Sequence, residues 1–286
     1  MSGPRVLWCD NHVLALAKPA GLPSVPDASG DPSALDWGKE WIRRNYSKPG
    51  EVFLGVVHRL DRPVSGVLCL GRTSKGSARL TAALVERAVR KAYLGVVAGD
   101  PGAGGELEQH LLKDPHTNRV AVVEAGRAGA KVARTRWTRL ATRGGRALLR
   151  LEPLTGRSHQ LRVACASMGT PLLGDLKYGA DRALEDRSIA LHSHEFEAPH
   201  PVRRTSLLLR AAPPRAGWWD LAREVLESKP AAEADHSLAQ APRGWGGQAL
   251  PEGTEPEPPR DAAAAATPAE TRLWPGDHAS CAEAEA

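Results

Sequence analysis

The residues with the most chemistry in them are Val57-His58-Arg59-Leu60-Asp61-Arg62-Pro63-Val64-Ser65-Gly66, centred on Asp61. Arg59 and Arg62 flank that carboxyl, and flanking cations favour the ionised form by through-space attraction. An ionised, positioned carboxylate can serve as base, metal ligand or covalent nucleophile. On its own, such a cluster in a turn reads as a surface ion-pair group worth little. The rest of the chain has to decide between the two.

Three further groups of residues bear on that decision. Lys18-Pro19-Ala20-Gly21-Leu22-Pro23 is a stiff loop after an apolar run, with Lys18 at its mouth as a candidate phosphate contact. Lys91 and Tyr93 alternate on an apolar strand and so share a face, where a cation beside an aromatic suits base stacking. The segment from Thr155 to Arg162 collects Arg157, His159, Gln160 and Arg162 around an expected helix start. A helix N-terminus among cations binds anions, and the forked guanidinium of Arg162 suits a buried carboxylate. His192 and His194 also share a strand face, but no third ligand of suitable spacing stands out. Hydrogen bonding or packing is the expected role for that pair, and no metal site is expected.

The elements that must carry these groups can be read from the pattern of apolar residues. Strands are expected over 5–8 and 13–17, and over Val52-Phe53-Leu54 and Val67-Leu68-Cys69-Leu70 on either side of Asp61, as two buried strands with a tight charged connection. Helices are expected over 33–46, capped by Ser33, and from Thr73 or Ser74 to about Val89. Residues 91–97, 120–123, 131–140 and 146–151 read as strands, with a glycine-rich turn over 100–105. A helix over about 158–168 follows, then strands at 189–196 and 206–210 and a short helix at 218–226. The class is α+β: a mixed, mostly antiparallel sheet with helices packed on it.

Composition narrows the setting. The chain has 286 residues and a formal charge of +5, unevenly spread. From Lys229 onward there are 4 Lys/Arg against 10 Asp/Glu, while residues 1–228 carry 34 against 23. A body with an excess of +11 suits a polyanion, most simply a nucleic acid. The last stretch, 229–286, is rich in Ala, Pro and Glu with little apolar periodicity, and is expected to be a disordered acidic tail following a catalytic domain at 1–228. Four scattered cysteines argue against a disulfide framework or zinc site and for a reducing compartment. With no leader-like or membrane-spanning apolar stretch, a cytoplasmic location is expected.

Taken together, these segments resemble the RluA-type pseudouridine synthases over roughly residues 5–215. The resemblance lies in His58–Gly66, Lys91-Ala92-Tyr93, Thr155–Arg162 and the following Gly174-Asp175…Tyr178-Gly179, in the family's order. It departs at Val64, where the family usually has Thr, and at Ala164, where a His is common. Altered hydrogen bonding around the site, not loss of activity, is expected from both. Many relatives carry an N-terminal S4-type RNA-binding module, and here the motifs begin too early for one.

The resemblance implies a catalytic set of Asp61, Tyr93 and Arg162: the carboxylate, a ring stacking on uracil, and the partner that orients the carboxylate. Arg59 would fill the place vacated by a flipped base. Lys18, Arg62, Lys91 and Arg157, with His159 and Gln160, would contact RNA. Neither cofactor nor metal is called for. The implied partner is a structured RNA, tRNA slightly ahead of rRNA, acted on by a monomer. A non-catalytic RNA-binding or RNA-folding protein would need the basic face but not Asp61. A sugar glycosidase would need a second catalytic carboxyl group, and no second Asp or Glu accompanies the core motifs as consistently.

Overall fold

The computed structural model describes residues 3–47, 50–203 and 205–228, so the expected acidic tail lies outside the described residues. In chain order come β1 (Arg5–Cys9), β2 (Val13–Lys18), α1 (Ala34–Tyr46), β3 (Gly55–Val56), β4 (Ser65–Gly71) and α2 (Ser74–Val85). Then follow β5 (Arg90–Ala98), β6 (Gly104–Asp114), β7 (Arg119–Val123), β8 (Lys131–Arg143), β9 (Arg146–Pro153) and α3 (Gln160–Ser167). The last elements are β10 (Leu191–Pro199), β11 (Ser206–Arg210) and α4 (Asp220–Ser228), with tight 3-10 turns at Leu176–Tyr178 and Gly217–Trp219.

Local chemistry sets several of these boundaries. Asp10 turns β1 into β2 by accepting the N–H groups of His12 and Val13 at 2.8 and 2.9 Å. Ser33 caps α1 reciprocally with Asp36: the hydroxyl accepts the Asp36 N–H, and the carboxylate accepts the Ser33 N–H. Thr73 caps α2 through the Gly76 N–H at 3.0 Å.

The strands form one sheet in the order β1-β2-β4-β10-β5-β9-β8-β6-β7, with β11 beside β10 and β3 beside β4. β4 and β10 run parallel, while the other pairings are antiparallel. Alternation along the central strands splits the core between the two faces of the sheet. Leu14, Leu16, Leu68 and Leu70 pack with Ile42 of α1. Val13, Ala15, Val67 and Cys69 pack with Leu80 of α2 and Phe196 of β10. The same division occurs on β5, where Leu94 and Val96 meet Trp219 and Ala222 while Tyr93 and Val97 meet Leu161 and Cys165 of α3.

The β4–β10 pairing depends on Gly66. Its φ is +117°, and a Cβ there would lie 2.2 Å from the Ser193 carbonyl oxygen. Only glycine lets the two backbones approach this closely.

The α+β class stands as expected, and three local readings are corrected. Residues 52–54 are not a strand: the strand before Asp61 is only the two-residue β3, which pairs antiparallel with β4, so Asp61 lies on a wide irregular loop over 57–64 and not on a tight connection. The glycine-rich segment at 100–105 leads into an eleven-residue strand, β6. Its polar alternation, Glu106 and Glu108 opposite Arg136 and Arg134 of β8, hides the strand from an apolar-pattern reading. The helix expected from about 158 begins at Gln160, because His159 takes a left-handed conformation (φ 52°) that helix residues do not adopt.

Candidate active site

The Asp61 loop owes its shape to the Lys18–Ser24 segment lying against it. The Ser24 hydroxyl donates to the Leu60 carbonyl at 2.7 Å and accepts the Leu60 N–H at 3.0 Å. The Gly21 N–H and the Lys18 ammonium both donate to the Arg62 carbonyl, and the Ile189 N–H donates to that of Pro63. Leu60 and Val64, one on each side of Asp61, are buried with Tyr93, Leu161, Cys165 and Ile189. One hydrophobic cluster thus gathers the loop, β5 and α3 around the carboxylate. Val64 and Ala164, the two departures from the family pattern, are both buried.

Asp61 keeps about a third of its side chain exposed (32%). Its cationic partner is Arg162, whose Nη1 donates to Oδ2 at 3.1 Å. The flanking arginines expected to share this role turn away. Arg59 is exposed, and Arg62 is committed to the Gly21 carbonyl, Ser29 and Asp31.

Arg162 is itself fixed from below. Its Nε and Nη2 donate to the two oxygens of Asp175, both at 2.7 Å, and Asp175 is buried. Burial opposes the charge on Arg162, but the bonds to Asp175 and the pull of Asp61 outweigh it and hold the guanidinium above its ordinary pKa. Asp175 is positioned by Gly174, whose φ of +81° and close approach to the Ser188 carbonyl leave no room for a Cβ. The guanidinium carbon also lies 5.0 Å from the Tyr178 ring centre, within cation–π range.

Sequence reasoning singled out Arg162 but gave no role to Asp175 or Tyr178. A signal was present, since a buried guanidinium has five N–H donors and one carboxylate cannot satisfy them.

Tyr93 is buried on β5, opposite Leu151 of β9 and Ser193 of β10. Burial pushes its hydroxyl up to about 12, with Asp61 adding to the shift and Ser193 opposing it. A neutral hydroxyl over an apolar floor beside Asp61 is suited to packing against a flat base. Lys91 is lowered by burial and is not an open surface cation.

Two expected RNA contacts are corrected. Lys18 is 1% exposed, and its ammonium donates to the carbonyls of Pro19, Leu22 and Arg62. Burial pulls it down to about 7, against the attraction of Asp61. It builds the loop and does not reach a phosphate. Gln160 is likewise buried: its Oε1 accepts from Thr155 and the Arg157 N–H, and its Nε2 donates to Arg134 and Thr135. With both ends of the amide satisfied, it joins α3 to β8. The first turn of α3 is buried as well, so that helix end is not an open anion site. Arg157 is exposed while anchored to the Val132 carbonyl. His159 lies 3.7 Å from Asp61.

His192 and His194 both donate to the Ala211 carbonyl, and His192 Nδ1 accepts from Ser65 at 2.8 Å. That is the hydrogen-bonding role expected of them. Among the described residues no group of three His, Cys, Asp or Glu side chains is arranged to hold a metal, and no helix is long and apolar enough to cross a membrane.

A part-exposed carboxylate held by a buried arginine, beside a buried tyrosine, defines a class, and comparison gives it a family. Residues 12–167 match the RNA pseudouridylate synthase family, and the chain belongs to it. Its relatives place it in the RluA-type branch, whose members are isomerases. An uncharacterised RNA pseudouridine synthase of Zymomonas mobilis is 35% identical over 205 residues, 68% of this chain and 86% of that one. The ribosomal large subunit pseudouridine synthase D of Nitrosomonas europaea is 31% identical over 210 residues, 69% of this chain but 58% of that one. In fold, the human RNA pseudouridylate synthase domain containing 4 superposes with a TM-score of 0.62 at 24% identity, over 73% of this chain and 88% of that one.

Proposed function

We propose that this chain converts uridine to pseudouridine in a structured RNA, with Asp61 as the reacting carboxylate. The observation that carries the proposal is the Arg162–Asp61 contact at 3.1 Å, in which a buried, doubly anchored guanidinium orients a carboxylate that remains part exposed. The reaction breaks the N1–C1′ bond, turns the base and joins C5 to C1′, and the C5 proton is lost as N1 gains one. Every heavy atom stays in the RNA and the two protons balance, so no oxidant or second substrate is consumed. Asp61 acts as nucleophile or base at the sugar or the pyrimidine, and Tyr93 stacks on the uracil.

A base in a folded RNA must first leave its stack, at a cost of a few kcal/mol. Arg59 fills the gap and Arg157 meets the backbone, a reading supported by the exposure of both. Relatives named for the large ribosomal subunit favour rRNA as the substrate, ahead of the tRNA suggested by the signature motif.

The test is to map pseudouridine in total rRNA and tRNA from cells lacking the protein, complemented by wild type or Asp61→Asn. Sites that vanish and return only with wild type establish both activity and substrate. RNA binding without turnover by the wild-type protein would instead support a folding or binding role.

A further inference from the structure

The Tyr178 hydroxyl oxygen accepts the Val120 N–H at 2.9 Å. Its single proton is then available for His159 Nδ1, 2.7 Å away. A neutral imidazole that accepts at Nδ1 carries its own proton at Nε2. That Nε2 lies 3.7 Å from Asp61 Oδ2, the same oxygen that Arg162 holds. Among the described residues no hydrogen bond reaches Asp61 Oδ1. Burial favours the neutral ring, as do Arg162, Lys177 and Lys113, while Asp61 opposes them. His159 also holds a left-handed backbone (φ 52°), a conformation that non-glycine residues seldom adopt.

We propose that Val120 and Tyr178 fix His159 as the Nε2–H tautomer, so that His159 and Arg162 together hold Asp61 by Oδ2 and present Oδ1 to the uridine. This rests on Asp61 being the reacting carboxylate. At 3.7 Å the histidine contact is longer than a hydrogen bond, as such contacts often are before substrate enters. His159 is then a positioning residue and not a phosphate contact. The β6–β7 hairpin, which carries Val120, becomes part of the active site, far as it is in sequence from Asp61.

The full-length protein labelled with 15N-histidine reports the tautomer directly, with no RNA present. We expect His159 protonated at Nε2 in the wild type and that preference lost in Tyr178→Phe. Single-turnover assays on the RNA identified by mapping supply the second readout. His159→Leu should lower the rate by about 10- to 100-fold with RNA affinity little changed. His159→Gln, which keeps an N–H near the Nε2 position, should recover most of that loss. An Nδ1–H tautomer in the wild type overturns the proposal, as does a wild-type rate in His159→Leu or a Gln variant no better than Leu. Should the wild type turn over no RNA, the reading of Asp61 fails, while the tautomer measurement still decides the arrangement around His159.

Discussion

Arg162 grips Asp175 with two nitrogens, each at 2.7 Å, and reaches Asp61 with a third at 3.1 Å. Two carboxylates share one guanidinium, one buried and one part exposed. The buried one fixes the direction from which the other is held. Asp175→Asn removes the buried charge and breaks the two-oxygen fork. Losing one member of a buried pair costs about 3 kcal/mol. The expected outcome is a clear drop in thermal midpoint together with a turnover loss that exceeds any loss of RNA affinity. Arg162→Lys should perform no better, because a point charge cannot span both carboxylates. Unchanged melting and turnover in Asp175→Asn would show that Arg162 is held by something else.

Lys18 separates a structural role from an RNA contact. Its ammonium serves three backbone carbonyls. Lys18→Met should therefore destabilise the protein by about 2 kcal/mol and slow turnover, while the slope of log affinity against log salt stays at the wild-type value. Arg157→Ala, at the exposed residue proposed to meet the RNA backbone, should reduce that slope by about one. A shallower salt slope in Lys18→Met would return Lys18 to the RNA surface.

Gly66 is the tightest backbone contact in the sheet centre. With a Cβ 2.2 Å from the Ser193 carbonyl oxygen and a φ of +117°, Gly66→Ala must push β4 from β10. A loss of at least about 3 kcal/mol is expected in urea unfolding. Because Ser65 and Tyr93 flank this seam, turnover should fall even in the folded fraction.

Two buried histidines make stability depend on acid. Burial lowers His58 to about 3, with Lys91 adding to the effect, and lowers His192 to about 4. Above about pH 6.5 both are neutral, folded or unfolded, and neither costs anything. As pH falls below 6.5 the unfolded chain takes up protons that the folded chain refuses, so stability falls until pH approaches 4. Urea melts at pH 7, 5.5 and 4.5 should show a loss of a few kcal/mol across that window. In His58→Gln the overall stability is lower, but the slope with pH is shallower. An equal slope in the variant would mean that other groups drive the acid loss.

Much of the site was legible in the sequence because its residues lie in short segments with distinctive local chemistry. Asp61 between two arginines and ahead of Pro63 and Gly66, Tyr93 on an apolar strand and Arg162 at a helix start could each be picked out, and the structure gathers all three around one cluster. The continuous apolar runs of β2, β4 and β5 likewise declared themselves, since both faces of those strands are buried. What remained hidden depends on contacts between residues distant in the chain. Local chemistry pointed to the neighbours at 59 and 62, and only the family resemblance paired Asp61 with Arg162, because that contact is made by packing across 101 positions. Whether Lys18 faces solvent or carbonyls depends on the Arg62 backbone lying against its loop. β6 shows no apolar pattern because its polar residues pair across to β8, a register that only the folded sheet supplies. The sequence by itself determined the chemistry available and the elements that carry it. Tertiary structure alone decided which charges touch, because burial and direction belong to the assembled sheet and not to any one segment of it.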